Sequence, residues 1–371
     1  MKKILYISYF VFLCFVCFFS YLFVDRNLKF ISLFFSGFSS SNRFSTSIIY
    51  TGIVIIFFLF YLLFIRFFSK NKLDGKDIKT LIVLTCVVLF FSYPAMLSYD
   101  IFNYILTAKV TFFYQENPYI VMPNEFVNDP FLAFTRATNK IALYGPVWLI
   151  LSGFPHFLGF GNFVLTLFGF KLVALVFYLL FLLILKKISG NDKAVLLFGL
   201  NPLVILETLV GAHNDIVMIF LVLFAMYLAK AKKLFYMITF FVLSFLIKYS
   251  TIALLPIFIF IFIKIVRKEQ LNWSKIYLVS LILMFLIFLL SPIREEMYPW
   301  YAIWFLPFVV LQYKNKIFKY LSISLCFGLL LRYIPFIYLG TYLEPTPTIR
   351  QIVTFVPTAL FSLFYVIKKK I

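Results

Sequence analysis

Polar groups that this 371-residue chain sets away from its lysine clusters gather in a few short stretches. They are SYDIFNY (98–104) with ENPY (116–119) and YGPVW (144–148), GAHND (211–215), the LIKYS stretch around Lys248, and REEMYPWY (294–301). Taken singly, the acids and amides read as helix caps, Asp100 for a helix starting at Ile101 and Asn214 or Asp215 for one starting near Ile216. Taken together they bring a carboxylate, Asp100, and a His213-Asn214-Asp215 triplet into company with aromatic groups such as Tyr144, Trp300 and Tyr301. Such a set lines a wet, polar, aromatic cavity at a membrane border better than it decorates a surface at random. Lys248 and Arg294 each border one of these stretches, and a fixed anion such as a lipid phosphate accounts for cations placed there. Lys171 and Arg332, by contrast, read as side chains that snorkel from helix ends.

The elements that must position these residues are membrane helices. The chain is 64% hydrophobic and 13% charged, with a mean hydropathy of +1.02, whereas soluble domains are about half apolar and a quarter charged. Apolar runs of about 17–25 residues recur without the short alternating pattern of an outer-membrane barrel. The net charge of +20 does not point to nucleic acid, because the basic residues sit in short clusters between apolar runs. Seven clusters (Lys2–Lys3, Arg66–Lys79, Lys186–Lys193, Lys230–Lys233, Lys264–Lys275, Lys314–Lys319 and Lys368–Lys370) hold 23 of the 34 basic residues and four of the 14 acids. By the positive-inside rule these ends are cytoplasmic, as are both termini of a multi-pass plasma-membrane protein. Ten acids, Asp100, Glu207, Asp215 and Glu296 among them, then fall to the outer side.

The pattern predicts an all-α polytopic protein of about 12 transmembrane helices (range 10–13), near residues 4–24, 47–65, 80–98, 163–185, 194–211, 214–229, 234–250, 251–266, 276–292, 301–313, 317–339 and 351–367. Residues 1–371 read as one integral membrane domain, with a core at 80–310, a large outer loop at 99–145 bearing interfacial helices, and C-terminal helices at 311–371. Residues 146–162, broken by Pro155 and glycines, read as interfacial or re-entrant. The basic N-terminus leads a run as long as a full span with no A-x-A-like cleavage site, so it reads as a retained helix. Cys14, Cys17, Cys86 and Cys326 lie inside predicted spans and lack the spacing of a metal site or a disulfide framework.

In order along the chain, an Asp opening the first large loop, NPY and YGPVW, the central NPL with GAHND, KYS with LLP, and a late YPWY resemble the polyprenyl-phosphate-sugar-dependent glycosyltransferases of the GT-C superfamily. The likeness is to the bacterial, mycobacterial-type polyprenol-phosphate mannosyltransferases and covers roughly Leu81 to Pro307. It implies a hexosyltransferase of cell-envelope biosynthesis that moves a hexose, mannose, from a polyprenyl-phosphate donor to a glycolipid or glycan acceptor at the outer face. It further implies inversion, no metal and no cofactor beyond the lipid-linked donor. Carried over by position, it makes Asp100 the general base and Lys248 the partner of the phosphate. His213, Asn214 and Asp215 become its polar motif, and Trp300 and Tyr301 its aromatic motif near sugar or lipid. The chain departs from the simplest members, which put the aspartate after the first span, in having two spans before the one that ends at Asp100. The chemistry is coherent: a hydroxyl attacking an anomeric carbon needs one carboxylate to take its proton, and a phosphate leaves with cations to steady its charge. No DxD triplet occurs. A flippase of lipid-linked saccharides is the alternative class, although the polar residues gather at one border and no internal repeat is visible.

Overall fold

The computed structural model describes residues 2–24, 28, 37–133, 135, 138–293 and 296–370. Every regular element among them is helical. In chain order the helices that matter here are α1 (Lys2–Ser20), α2 (Arg43–Ser69), α3 (Gly75–Phe90), α4 (Asp100–Phe112), α5 (Pro146–Leu158), α6 (Phe163–Ser189), α7 (Asp192–Gly199), α8 (Pro202–Ile205), α9 (Asp215–Lys230), α10 (Leu234–Phe245), α11 (Leu255–Val266), α12 (Trp273–Leu290), α13 (Leu306–Leu311), α14 (Lys316–Leu331), α15 (Ile334–Leu339) and α16 (Thr346–Lys370). Asparagines begin several of them. The side chains of Asn191, Asn272 and Asn315 accept backbone N–H groups at the starts of α7, α12 and α14, satisfying donors that a helix leaves open.

Six segments among the described residues are long and apolar enough to cross a membrane: Lys2–Phe23, Arg43–Ser69, Phe163–Ser189, Tyr249–Val266, Trp273–Ile293 and Lys316–Leu339. A seventh is formed if Asp192–Gly199 and Pro202–Val210, bent by 62° at their junction, count as one span. Pro202 explains the break, since it has no N–H to continue the helical ladder. The protein is therefore a membrane-embedded helical bundle. Apolar runs that read as spans are divided into shorter pieces: α3 and α9 have 16 residues each and α10 has 12. At 1.5 Å per residue these reach about 24 Å and 18 Å, short of a hydrocarbon core about 30 Å thick. Helix α5, the broken 146–162 piece, has 13 residues and is equally short.

The chain forms two compact units, one of Met1–Phe38, Val83–Ile184 and Leu206–Leu255, the other of Ser39–Ile82, Leu185–Ile205 and Pro256–Ile371. In the first, the end of α3 is closed by a buried cation. Lys171 of α6, 2% exposed, donates to the carbonyls of Leu89 (3.0 Å) and Ser92 and to the Ser92 hydroxyl (2.8 Å). It does not snorkel, because the last carbonyls of a helix are unpaired and carry the negative end of its dipole, and they take up the ammonium inside the protein. Ser20 adds a hydroxyl that accepts the Tyr93 N–H at 2.8 Å. Between α3 and α4, which starts at Asp100, the chain passes through a short 3₁₀ turn at Pro94–Met96.

A buried ion pair ties Asp129, in the segment that follows α4, back to that helix. Lys109 Nζ lies 2.7 Å from Asp129 Oδ1 and 3.8 Å from the Phe131 ring centroid, and Tyr114 donates to Asp129 Oδ2 at 2.8 Å. In the second unit Tyr50 and Tyr61 of α2 donate to the carbonyls of Leu330 and Leu197, at 3.0 and 2.7 Å. There Glu296 accepts from both Arg332 (2.6 Å) and Arg350 (3.0 Å). Arg332 is 4% exposed, so it too is paired inside the protein instead of snorkelling.

Candidate active site

Asp100 occupies the first turn of α4, where negative charge suits a helix. Its carboxylate is not a cap. Tyr99 holds the N-cap position without a side-chain bond, and the Asp100 carboxylate turns toward residues distant in sequence. Oδ2 accepts the Tyr144 hydroxyl at 3.0 Å and lies 3.6 Å from His213 Nδ1. The side chain of Asp100 is 30% exposed and that of His213 is fully buried, so the pair is an acid reachable from outside backed by an imidazole that is not.

Three local devices bring His213 there. The chain leaves α8 through a π-type turn at Leu206–Val210, a distortion that interrupts helices often at functional positions. Gly211 follows, and a Cβ on it would lie 2.9 Å from His213 Cδ2 and 3.0 Å from the Glu207 carbonyl. Glycine is the residue that permits this approach. Ala212 then adopts the left-handed region at φ 54°, which costs a non-glycine residue about 1 kcal/mol or more and is held by its surroundings. The His213 N–H returns to the Glu207 carbonyl at 3.1 Å, and its Nε2 sits 3.3 Å from Glu207 Oε2. Glu207 is fully buried. The imidazole therefore stands between two carboxylates.

Electrostatics follow from this placement. Burial acts to push the His213 pKa down, but the Asp100 and Glu207 contacts outweigh it and raise it to about 9. Burial acts to raise the Asp100 pKa; the hydrogen bond and charge of His213, with Lys248 and Tyr144 behind them, bring it below the ordinary carboxylate value. Both shifts favour an ionised Asp100 beside an imidazolium.

The remaining predicted residues are placed as follows. Asn214 holds the N-cap position of α9 without a side-chain cap bond, its backbone N–H directed to the Tyr104 hydroxyl at 3.4 Å. Its amide and that of Asn103, one turn beyond Asp100, are buried and make no hydrogen bond among the described residues. Asp215 is fully buried and accepts from Lys248 Nζ at 3.0 Å. Lys248 is thus part of the same polar group, although it enters as the partner of Asp215. Tyr144 packs edge-on against Tyr104 (4.8 Å), which in turn meets Trp148 (5.0 Å). Trp300 and Tyr301 belong to the second unit, where they stack on Tyr298 (4.5 Å) and Trp304 (4.1 Å). Arg294 lies outside the described residues. Among these, no group of three His, Cys, Asp or Glu side chains forms a metal-ligand set.

Two residues of the site were not singled out by the sequence reading. Tyr104 carries no signal beyond its place in SYDIFNY. Glu207 does: it is an acid inside PLVILETLVGAHND, and an ionisable group in such a run marks function by default.

The family profile for the alpha-(1->6)-mannopyranosyltransferase N-terminal domain matches residues 21–264, about two thirds of the chain. No curated protein and no solved structure matches it. The matched stretch contains Asp100, Tyr144, Glu207, the 213–215 triplet and Lys248, and ends before Trp300 and Tyr301. The chain belongs to this family of mannosyltransferases and is a membrane-embedded glycosyltransferase.

Proposed function

We propose that the protein transfers mannose from a polyprenyl-phosphate donor to a hydroxyl of a glycolipid or cell-envelope glycan, at the outer face of the plasma membrane. The observation that carries this reading is the Asp100 carboxylate, partly exposed, with its Oδ2 fixed by Tyr144 at 3.0 Å and approached by His213 at 3.6 Å. Both contacts fall on one oxygen. Oδ1 is then the oxygen that takes a proton from the acceptor hydroxyl as that hydroxyl attacks the anomeric carbon. The new C–O bond forms as the bond from the anomeric carbon to the phosphate oxygen breaks, and the electron pair leaves with the polyprenyl phosphate. One displacement at carbon inverts its configuration, and a phosphate leaving group needs no acid to protonate it.

Lys248 is the cation assigned to the departing phosphate. Its ammonium carries three protons and is held in place by Asp215, which suits it to meet phosphate oxygens. Arg294 is proposed to assist it, and Trp300 and Tyr301 to border the sugar or the lipid. Asn214, with its buried amide, is proposed to meet sugar hydroxyls. No metal and no cofactor enters this scheme. About 12 crossings in one membrane domain, with both termini cytoplasmic, remain the topology that the lysine clusters support.

The test is transfer of radiolabelled mannose from polyprenyl-phosphate mannose in proteoliposomes. Asp100→Asn should lower the rate by at least 10³-fold with the protein still monodisperse in detergent, and retained activity would overturn the base assignment. Recovery of label in a new covalent product, as opposed to unchanged donor on the far side of the bilayer, separates a transferase from a flippase.

A further inference from the structure

Glu207 is the one fully buried carboxylate in this site that the transfer scheme does not use. It sits on a π-type turn, 3.3 Å from His213 Nε2, while His213 Nδ1 faces Asp100. A histidine with a carboxylate on each ring nitrogen can donate to both only when both nitrogens carry protons. In the sequence order, Glu207, Gly211 and His213 form one compact loop: Gly211 has no room for a Cβ between the imidazole and the Glu207 carbonyl. The loop's backbone is committed to this geometry by the positive φ of Ala212 and by the His213 N–H to Glu207 carbonyl bond.

We infer that Glu207 is a positioning residue for sugar transfer, which through His213 fixes the orientation and the charge of Asp100. The inference rests on the reading of Asp100 as the base. Its logic is that of an acid orienting an imidazole, with the roles rearranged: here the imidazole does not take the substrate's proton but holds the carboxylate that does. A carboxylate held by an imidazolium stays ionised and presents one oxygen in a fixed direction. The proton it takes from the acceptor arrives at a carboxylate whose other oxygen lies 3.6 Å from the imidazole. His213 faces Asp100 and Glu207, Asp100 in turn faces Lys248 and Tyr144, and Tyr104 of α4 and Asp215 at the start of α9 complete the titratable group. Among the described residues Asp100 and Glu207 stand at the imidazole as ion-pair partners, so removing the Glu207 charge removes one of the two carboxylates that favour its protonation.

The chain has two histidines, His156 and His213, which makes a direct measurement simple. In protein labelled with ¹⁵N-histidine, and with His156→Gln to assign the signals, His213 should remain an imidazolium at pH 8. In Glu207→Gln it should be at least half neutral at that pH. Mannosyl transfer by the parent should fall on an alkaline limb near pH 9, and in Glu207→Gln that limb should move down by at least one unit, so that the loss relative to the parent grows as pH rises from 6. A neutral His213 in the parent at pH 8, or an imidazolium unchanged by Glu207→Gln, overturns the inference. So does a rate lowered equally at every pH, which is what a purely structural role gives. Should Glu207→Gln fail to fold, the titration of His213 in the parent decides, and an ordinary midpoint near 6.5 overturns it. Asp100→Asn is assayed beside these variants: full activity there defeats the base reading itself, whereas an inactive Asp100→Asn with an unmoved limb in Glu207→Gln defeats only the role of Glu207.

Discussion

Gly145 donates its backbone N–H to the carbonyl of Ile247 at 3.0 Å, and Val147 donates to Leu246 at 3.2 Å. The YGPVW and LIKYS stretches are therefore fastened backbone to backbone, and Tyr144 and Lys248 are flanking residues of one junction. A Cβ on Gly145 would lie 2.1 Å from the Leu246 carbonyl oxygen. Gly145→Ala must push these segments apart, because the obstacle is backbone and not the end of a flexible side chain. Overpacking of this kind costs about 1–3 kcal/mol. The expected outcome is a Tm in detergent lower by several degrees, measured by thermal shift, with a loss of transfer activity larger than the change in Tm explains.

This junction marks the limit of what the sequence discloses. The family and the residues Asp100, His213 and Lys248 were legible, because scarce polar groups in an apolar chain stand out and their order is itself a pattern. What they touch was not. Lys248 reads as a free anion binder yet rests on Asp215, 33 positions earlier; Lys171 reads as a snorkelling side chain yet closes the end of α3 from 79 or more positions away. Such pairings are decided by packing between segments. Hydropathy likewise finds apolar runs but is blind to where α3 and α10 end, since the residues that follow, at Phe91–Tyr99 and Leu246–Lys248, are largely apolar or aromatic.

The Lys109–Asp129 pair yields a stability prediction. Both side chains are nearly buried, at 11% and 3% exposure. Lys109→Met leaves the Asp129 charge inside with Tyr114 and the Phe131 N–H as its remaining partners among the described residues. Removing one partner of a buried pair costs about 3–5 kcal/mol. Lys109→Met should therefore lower Tm markedly, and Lys109→Met with Asp129→Asn should recover much of the loss. A double-mutant cycle by thermal denaturation measures the coupling.

Lys248→Ala separates donor binding from chemistry. If the ammonium holds the donor phosphate, its loss should raise KM for polyprenyl-phosphate mannose about tenfold or more and leave KM for the acceptor little changed. Because Asp215 is fully buried, Lys248→Ala with Asp215→Asn serves as the control for an unpaired charge. The same donor defect should persist in the double variant, as steady-state kinetics over both substrates will show.

The Asp100–His213 contact also couples stability to pH, and the two partners act at opposite ends. The pKa of His213 is raised on folding, to about 9. Its contribution is thus complete below its unfolded value near 6.5 and is lost as pH rises from there through about 9. Asp100 is lowered, so its contribution is present above its unfolded value and is lost as pH falls through the folded one. Between these limits the pair is fully charged and most stabilising, which places the plateau from about pH 4 to 6.5. Other groups titrate over the same range, so the informative quantity is the difference between the parent and His213→Gln. Thermal denaturation of the two from pH 6 to 9.5 should show their Tm values converging as pH rises. A constant gap across that range would mean that His213 is not charged in the folded protein.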